Sequence, residues 1–196
     1  MIYLGASTLH PDDSPTPRLP LVLYVGSLFN RRHIPELIDG FRRLVARVPD
    51  ARLDIVGDNR TNPRVDVAEL IARSGMSGLV RWRSYIPDRD LSSLYASASA
   101  FVFLSDYEGF GLTPLEAMAA GIPTVVLDTP IAREIYGAAA MFIPHPEPDA
   151  IATALERLLV HDDDRTRLID AGKAQVERYS WRECAHRTLQ VLLAAR

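Results

Sequence analysis

Several features that define specialised protein classes are missing from this 196-residue sequence. Cys184 is the single cysteine, so no internal disulfide can form, and a reducing, cytoplasmic setting is expected. No apolar run approaches the roughly 20 residues of a membrane-spanning helix. The first residues lack the basic and apolar regions of a signal peptide, so nothing predicts export.

Lysine is almost absent, because Lys173 is the single lysine among 22 basic residues. This arginine bias is typical of a GC-rich genome, although an individual arginine can grip phosphate with its planar fork. The net charge of −3 argues against a general nucleic-acid or membrane-surface binder. We therefore expect no nucleic-acid partner.

Signatures of common cofactors and metals are also missing. No G-x-G-x-x-G turn follows a strand, which argues against NAD or FAD, and the five histidines lack metal-ligand spacing. The acidic residues Asp88 and Asp90 form a D-x-D triplet, but Asp90 is better explained as a helix N-cap. Residues 162–164 are explained in the same way, as a loop and helix cap. No metal site is predicted.

Short apolar runs alternate with segments of helical periodicity along most of the chain. Strands are expected at 21–25, 53–56, 79–82, 100–104, 123–127 and 140–143. Helices are expected at 34–48, 65–74, 90–98, 113–120 and 130–136, and throughout the tail at 147–196. This alternation predicts an α/β fold with a Rossmann-like, doubly wound parallel sheet. Such sheets bind ligands at the carboxyl ends of their strands.

The segment EGFGLTPLE at 108–116 carries the strongest chemical signal. It follows an apolar strand and opens a helix, and its two glycines allow a close approach of backbone to ligand. Thr113 suits the N-cap and Pro114 the first helical position, so free N–H groups there predict an anion site. Glu116 alone fits a capping box with Thr113, and Glu108 alone is a loop carboxylate. Together, these carboxylates can hold the hydroxyls of two sugars on either side of a diphosphate.

The spacing of Glu108 and Glu116 resembles the E-x7-E motif of retaining glycosyltransferases with the GT-B fold, of the group 1 (family 4) type. Neighbouring blocks over most of 20–160 resemble the same family in the same order. The resemblance implies one half of a GT-B fold, the half that binds the nucleotide sugar. It implies a nucleoside diphosphate sugar as donor substrate, with no cofactor and no metal.

The resemblance also assigns roles to individual residues. It implies that Glu108 is a catalytic residue near the donor sugar, and that Glu116 holds the ribose hydroxyls. It further implies that the base of the nucleotide lies beside Tyr85 or Ile86. The remaining expected donor contacts lie in the central loop and helix start or after the first strand: Phe110, Gly111, Leu112, Thr113, Leu115, Gly26, Ser27 and Arg31.

The first loop departs from the family pattern. Family members place a basic residue after the glycine of the first strand and a lysine about six residues later, whereas here Ser27 follows Gly26. Arg32 matches the lysine position, so the resemblance implies a catalytic role for it at the diphosphate. The alternative is that Arg31 and Arg32 are a solvated pair before a helix.

The resemblance predicts a linker at 1–20, a donor-binding domain at 21–179 and, at 180–196, a helix that packs on an N-terminal acceptor domain. The sequence lacks that domain, so we expect the chain alone to be inactive. The expected partners are an acceptor domain in trans or a second copy bound through the last helix. One face of this helix presents Trp181, Cys184, Thr188, Val191 and Leu192. A non-catalytic nucleotide-sugar-binding module and a GT-B epimerase are the alternatives.

Overall fold

Six short strands form one parallel sheet in the computed structural model, which describes residues 3–5 and 20–195. Their order across the sheet is β3-β2-β1-β4-β5-β6, and each neighbouring pair is parallel. The strands are β1 Leu21–Val25, β2 Arg52–Val56, β3 Val80–Arg83, β4 Ala100–Phe103, β5 Thr124–Leu127 and β6 Ala140–Ile143. The predicted α/β, Rossmann-like fold is confirmed, and the strand bounds differ from the predicted ones by at most one residue.

Helices connect and flank the strands. They are α1 Ile34–Val45, α2 Val67–Arg73, α3 Asp88–Ser97, α4 Leu112–Ala119, α5 Pro130–Tyr136, α6 Pro148–Val160, α7 Asp162–Val176 and α8 Trp181–Ala194. Short 3₁₀ turns lie at Asn30–Arg32 and Gly137–Ala139. Every residue of β1, β4 and β5 is buried, as expected for central strands of a parallel sheet that helices cover.

Two predicted caps are wrong. Pro87 is the N-cap of α3, so Asp90 is the third helical residue instead of the cap. His161 is the N-cap of α7, and Asp162, Asp163 and Asp164 form its first turn. In both helices the carboxylates lie near the positive end of the helix dipole, which they stabilise without capping it.

The last helix differs from the others, because α8 buries none of its residues. Its apolar side chains are about half exposed or more, and Cys184 is partly exposed, so this face is not covered by the described part of the chain. Its predicted packing on an N-terminal domain stays a prediction. The helix packs at its start, where Trp181 contacts Gly5. In the described residues, no helix is both long enough and apolar enough to cross a membrane.

The amino-terminal predictions fall mostly outside the described residues. Residues 3–5 are irregular. Pro20 is the one proline of the predicted connector that the structure describes. The linker prediction for 1–20 therefore stays a prediction.

The strand order creates a switch point between β1 and β4. Chain connections leave these two neighbours in opposite directions, and such a point opens a crevice at the carboxyl ends of the strands. The loop at 26–33 follows β1 and the loop at 104–111 follows β4. The residues proposed from sequence to hold a ligand are therefore concentrated at this crevice.

Two glycines allow the carboxyl ends of β1 and β2 to approach each other. Gly57 has φ +154°, and a Cβ there would overlap the carbonyl oxygen of Gly26. Because that obstacle is backbone, a side chain at Gly57 would displace the β1 turn.

We predict that Gly57→Ala lowers the free energy of unfolding by about 2 kcal/mol or more, since it forces backbone apart in a packed sheet. Urea denaturation measures the effect. Gly78→Ala is the matched control, because nothing lies within 4 Å of the added Cβ. It should change stability by less than about 0.5 kcal/mol. Equal stability of both variants would contradict the close approach.

Candidate functional site

An ion pair joins the two loops across the switch point. Arg32 Nε donates to Glu108 Oε1 at 2.9 Å, and Arg32 Nη2 lies 2.8 Å from the same oxygen. Ser105 Oγ also donates to this oxygen at 2.8 Å, and Arg31 Nη2 lies 3.5 Å away. The predicted residues Arg31, Arg32 and Glu108 are therefore brought together, and Ser105 is a contact that the sequence analysis missed.

Arg32 lies on an aromatic floor that the central strands provide. Its guanidinium carbon is 4.8 Å from the centre of the Phe103 ring, which stacks on Tyr24 at 5.8 Å. Burial raises the pKa of Tyr24 to about 12, so its hydroxyl stays protonated and donates to the Ser27 carbonyl. Arg32 Nη1 donates to that carbonyl at 2.7 Å.

The two arginines of this loop differ in their surroundings. The Arg32 side chain is 11% exposed, which contradicts the alternative that it is solvated. Arg31 is more open, at 34%, and its Nε donates to the Tyr107 carbonyl at 2.9 Å. Arg32 is thus fixed across the first loop, where its Nη1 donates to the Ser27 carbonyl.

The helix that follows Glu108 begins one residue earlier than predicted. Gly111, with φ +87°, is the N-cap of α4, and no side chain caps the helix. Tyr136 Oη donates to the Gly111 carbonyl at 3.0 Å and holds this turn from behind. Thr113 is therefore the second helical residue, so the predicted capping box with Glu116 is wrong.

This shift changes which groups are free at the start of α4. The N–H groups of Leu112 and Thr113 have no acceptor within the helix, whereas Pro114 has no N–H. Leu115 is the fourth residue, where helix geometry directs the N–H to Gly111, and its side chain is buried in the core. The Thr113 hydroxyl is buried and has no hydrogen-bond partner among the described residues.

Glu116 lies opposite Tyr95 of α3. Tyr95 Oη donates to Glu116 Oε2 at 3.4 Å, a long bond that a better donor can replace. Burial raises the pKa of Glu116, and the bond from Tyr95 only partly opposes this. Burial also raises the pKa of Tyr95, so its hydroxyl remains protonated. The carboxylate of Glu116 is thus partly desolvated.

The other predicted contacts are arranged unequally. Tyr85 is 77% exposed after β3, whereas the Ile86 side chain is 7% exposed and belongs to the core. A base contact by Ile86 is therefore limited to its backbone. The Phe110 ring points to Tyr3 and Tyr179, with centroids 6.2 and 5.4 Å away. Gly26 and Ser27 lie next to the Arg32 side chain, whose Nη1 donates to the Ser27 carbonyl.

Comparison with known proteins identifies the family. The sequence profile described as "Glycosyl transferases group 1" matches residues 9–175. The chain belongs to the group 1 glycosyltransferase family. O-antigen chain mannosyltransferase B of Escherichia coli is 33% identical over 168 residues, which are 85% of this chain and 44% of that protein. Mannosylfructose-phosphate synthase of Agrobacterium fabrum is 31% identical over 181 residues, 88% of this chain and 40% of that protein.

A solved structure supports the GT-B assignment of this group 1 domain. The pneumococcal O-GlcNAc transferase GtfA, in complex with UDP and GlcNAc, superposes with a TM-score of 0.79 at 20% identity. The match covers 98% of this chain and 38% of that chain. The chain also spans less than half the length of the two curated relatives. It therefore corresponds to one domain of its longer relatives.

No group of three or more His, Cys, Asp or Glu side chains that could hold a metal occurs in the part of the chain that the structure describes. Tyr95 and Tyr136 contact the central motif from other helices, and neither residue was predicted from the sequence to do so. Both are single aromatic residues without diagnostic spacing, so tertiary structure alone reveals these contacts.

The raised pKa of Glu116 generates a prediction about stability. Ionising a carboxylate whose folded-state pKa exceeds its unfolded value costs folding free energy at high pH, and this cost vanishes below the unfolded pKa. We therefore predict that Glu116→Gln is more stable than the parent at pH 8. The difference should narrow as the pH falls towards 4.5, the ordinary value.

Urea denaturation of both proteins between pH 8 and pH 4 measures this difference. Glu156→Gln is a control on α6, because Glu156 is paired with Arg47 at 2.7 Å and should not gain from neutralisation. A pH-independent difference for Glu116→Gln would contradict the desolvation argument.

Proposed function

We propose that this chain binds a nucleoside diphosphate sugar and forms the donor half of a retaining glycosyltransferase. The observation that carries the proposal is the start of α4 at the switch point. There, the free N–H groups of Leu112 and Thr113 and the unpartnered Thr113 hydroxyl lie in sequence between Glu108 and Glu116. Hydrogen-bond donors at a helix start favour a phosphate.

In this proposal, the donor diphosphate exchanges partners with an existing ion pair. Arg32 leaves Glu108 and forms charge-assisted hydrogen bonds with phosphate oxygens. Glu108 then accepts hydroxyl groups of the donor sugar, still held by Ser105. Because both members of the pair gain new polar partners, neither charge is left unpaired.

In this proposal, Arg32 also replaces the basic residue that the family resemblance leads us to expect after Gly26. Arg32 Nη1 lies at the Ser27 carbonyl, next to the place where other family members carry a basic side chain. We propose that this guanidinium stabilises the leaving diphosphate for both basic positions, with Arg31 as the more exposed second cation. These charges replace a metal ion, so transfer is metal-independent.

Glu116 binds the ribose in this scheme. Ribose hydroxyls are stronger partners for a partly desolvated carboxylate than the 3.4 Å bond from Tyr95. Tyr85, exposed after β3, is the contact for the base. Transfer retains the anomeric configuration, since the diphosphate leaves from the face that the acceptor attacks. The enzyme supplies positioning and charge stabilisation.

The two curated relatives suggest the donor sugar. Both are named for mannosyl products or transfer, so we propose a mannosyl donor for this chain. The acceptor is held by an N-terminal domain, in the same polypeptide or in trans, and the exposed face of α8 packs against it. A cytoplasmic setting remains part of the proposal.

Calorimetric affinities for a nucleoside and for its diphosphate test the donor site. Arg32→Gln should leave binding of the nucleoside unchanged and weaken the nucleoside diphosphate by about 1.5–3 kcal/mol, because charged hydrogen bonds to phosphate are lost. Glu116→Gln should weaken both ligands, because its contact is to ribose. The two variants are therefore distinguished by the nucleoside, whose binding Glu116→Gln weakens and Arg32→Gln leaves unchanged.

Two controls sharpen this test. Arg47→Gln removes an arginine that pairs with Glu156 away from the crevice, and it should bind like the parent. EDTA should leave all affinities unchanged. Equal losses of nucleoside and diphosphate in Arg32→Gln would place Arg32 away from the phosphates, and a strict Mg²⁺ or Mn²⁺ requirement would contradict metal independence.

Sugar transfer should require a further domain. We predict no transfer from GDP-mannose by the chain alone, and transfer on co-expression with a polypeptide that supplies an acceptor domain. Sedimentation should show that complex, or a homodimer when the chain is alone. We expect association through α8, because exposed apolar stripes favour it.

The matched control is a chain in which Val191 and Leu192, each more than half exposed, are replaced by glutamate. It should bind nucleotide sugar normally but fail to associate. Robust transfer by a monomer would overturn the half-enzyme proposal. Binding without transfer in any complex would favour a non-catalytic module, and epimer formation would favour an epimerase.

A further inference from the structure

Phe110, in the loop at 108–111, packs in a cluster of three aromatic rings with Tyr3 and Tyr179. The Phe110 ring meets Tyr179 edge to face, with centroids 5.4 Å apart, and lies 6.2 Å from Tyr3. Tyr3 and Tyr179 also meet edge to face at 5.7 Å. These geometries are favourable for aromatic pairs, so the two tyrosine rings hold the Phe110 ring.

The end of α5 anchors this cluster. Tyr179 Oη donates to the Ile135 carbonyl at 2.9 Å in a buried hydrogen bond. Tyr3 Oη donates to Glu134 Oε1 at 2.9 Å. Tyr136, the last residue of the same helix, holds the Gly111 carbonyl. The end of α5 thus fixes the loop at two points: at Phe110, through the two tyrosines, and at Gly111, through Tyr136.

The two tyrosines belong to segments that lie side by side. Tyr3 is two residues before Gly5, and Tyr179 is two residues before Trp181. A Cβ on Gly5 would overlap the backbone nitrogen of Trp181, so these segments are in close contact where α8 begins. A cavity of about 190 Å³ borders Tyr3, Tyr179 and Cys184.

The loop itself has little intrinsic rigidity. Gly109 has no neighbour within 4 Å of an added Cβ, and Gly111 adopts positive φ. Glycine loses more conformational entropy on ordering than any other residue. The geometry of this backbone therefore depends on the contacts to Phe110 and Gly111.

We propose that Tyr3 and Tyr179 are positioning residues for the donor loop, which make its geometry depend on the position of α8 and of the segment at 3–5. Their rings hold Phe110 and with it the Gly109–Gly111 backbone beside Glu108. A displacement at the start of α8 is passed through Tyr179 to the loop that meets the sugar. This inference rests on the proposed donor function, because it assigns the loop to the sugar of the donor.

The full chain with a matched pair of variants tests the inference. Tyr179→Leu removes the ring, whereas Tyr179→Phe keeps it and removes only the hydroxyl. Gln175 Nε2 also donates to the Ile135 carbonyl, at 2.6 Å, so α7 stays attached to α5 in both variants. The first readout is amide hydrogen exchange of the free protein at residues 109–112, with β1 and β4 as internal references.

The second readout is calorimetric affinity for GDP-mannose and GDP, and for UDP-GlcNAc and UDP. Losing the contacts of one aromatic ring should weaken the sugar nucleotide about tenfold. The bare diphosphate should change by less than about twofold, because it does not reach the loop. We expect Tyr179→Leu and Tyr3→Leu to speed exchange at 109–112 and to show this selective loss, and Tyr179→Phe to restore both.

Unchanged exchange at 109–112 in Tyr179→Leu would overturn the inference, as would equal weakening of sugar nucleotide and diphosphate. Should Tyr179→Leu fail to fold, Tyr3→Leu keeps the test open, because Tyr3 is only partly buried. If the parent binds none of the four ligands, the proposed donor function fails. The exchange experiment still decides separately whether the tyrosines hold the loop.

Discussion

The arrangement of this domain depends on the ion pair between Arg32 and Glu108. It lies between the loops that follow β1 and β4, the two strands at the switch point, and Arg31, which donates to the Tyr107 carbonyl, is a second link between these loops. Both groups are largely withdrawn from water, so each charge needs a partner at all times. The aromatic floor of Phe103 and the hydroxyl of Ser105 fix the pair in place.

A preformed pair of this kind is suited to an anionic ligand. The ligand-free protein satisfies its own charges, and a diphosphate with sugar hydroxyls can satisfy them again after exchange. The net cost of binding is then the difference between two sets of charged hydrogen bonds, which is smaller than the cost of uncovering a bare charge. The start of α4 adds fixed donors that need no rearrangement, because its first N–H groups have no acceptor within the helix.

Much of this domain is predictable from sequence because its signals are local and repeated. Continuous apolar runs such as 21–25 predict buried strands, and the spaced blocks around Glu108 and Glu116 indicate the family, which the profile match confirms. The capping box failed because two residues compete for the N-cap, and Gly111, with its positive φ, begins the helix before Thr113. Glu116 therefore accepts a hydrogen bond from Tyr95 instead of capping the helix, and no local sequence pattern indicates that contact.

The contacts that could not be predicted are those between distant elements. Arg32 and Glu108 are 76 residues apart, and Tyr179 meets the Ile135 carbonyl across 44 residues. A single sequence contains no spacing rule for such pairs, because the strand order alone brings them together. The α8 face is different, because its apolar stripe was expected to need a partner outside this sequence, and α8 buries none of its residues.

A crystal structure of this chain with a nucleoside diphosphate bound would test the central claim most directly. The measured quantity is the distance from the Arg32 guanidinium to Glu108 and to the nearest phosphate oxygen. The account predicts that the Arg32–Glu108 contact opens beyond 4 Å, the limit of an ion pair, while Arg32 and the Thr113 N–H lie within hydrogen-bonding distance of phosphate. An intact Arg32–Glu108 pair, with the diphosphate bound away from the start of α4, would contradict it.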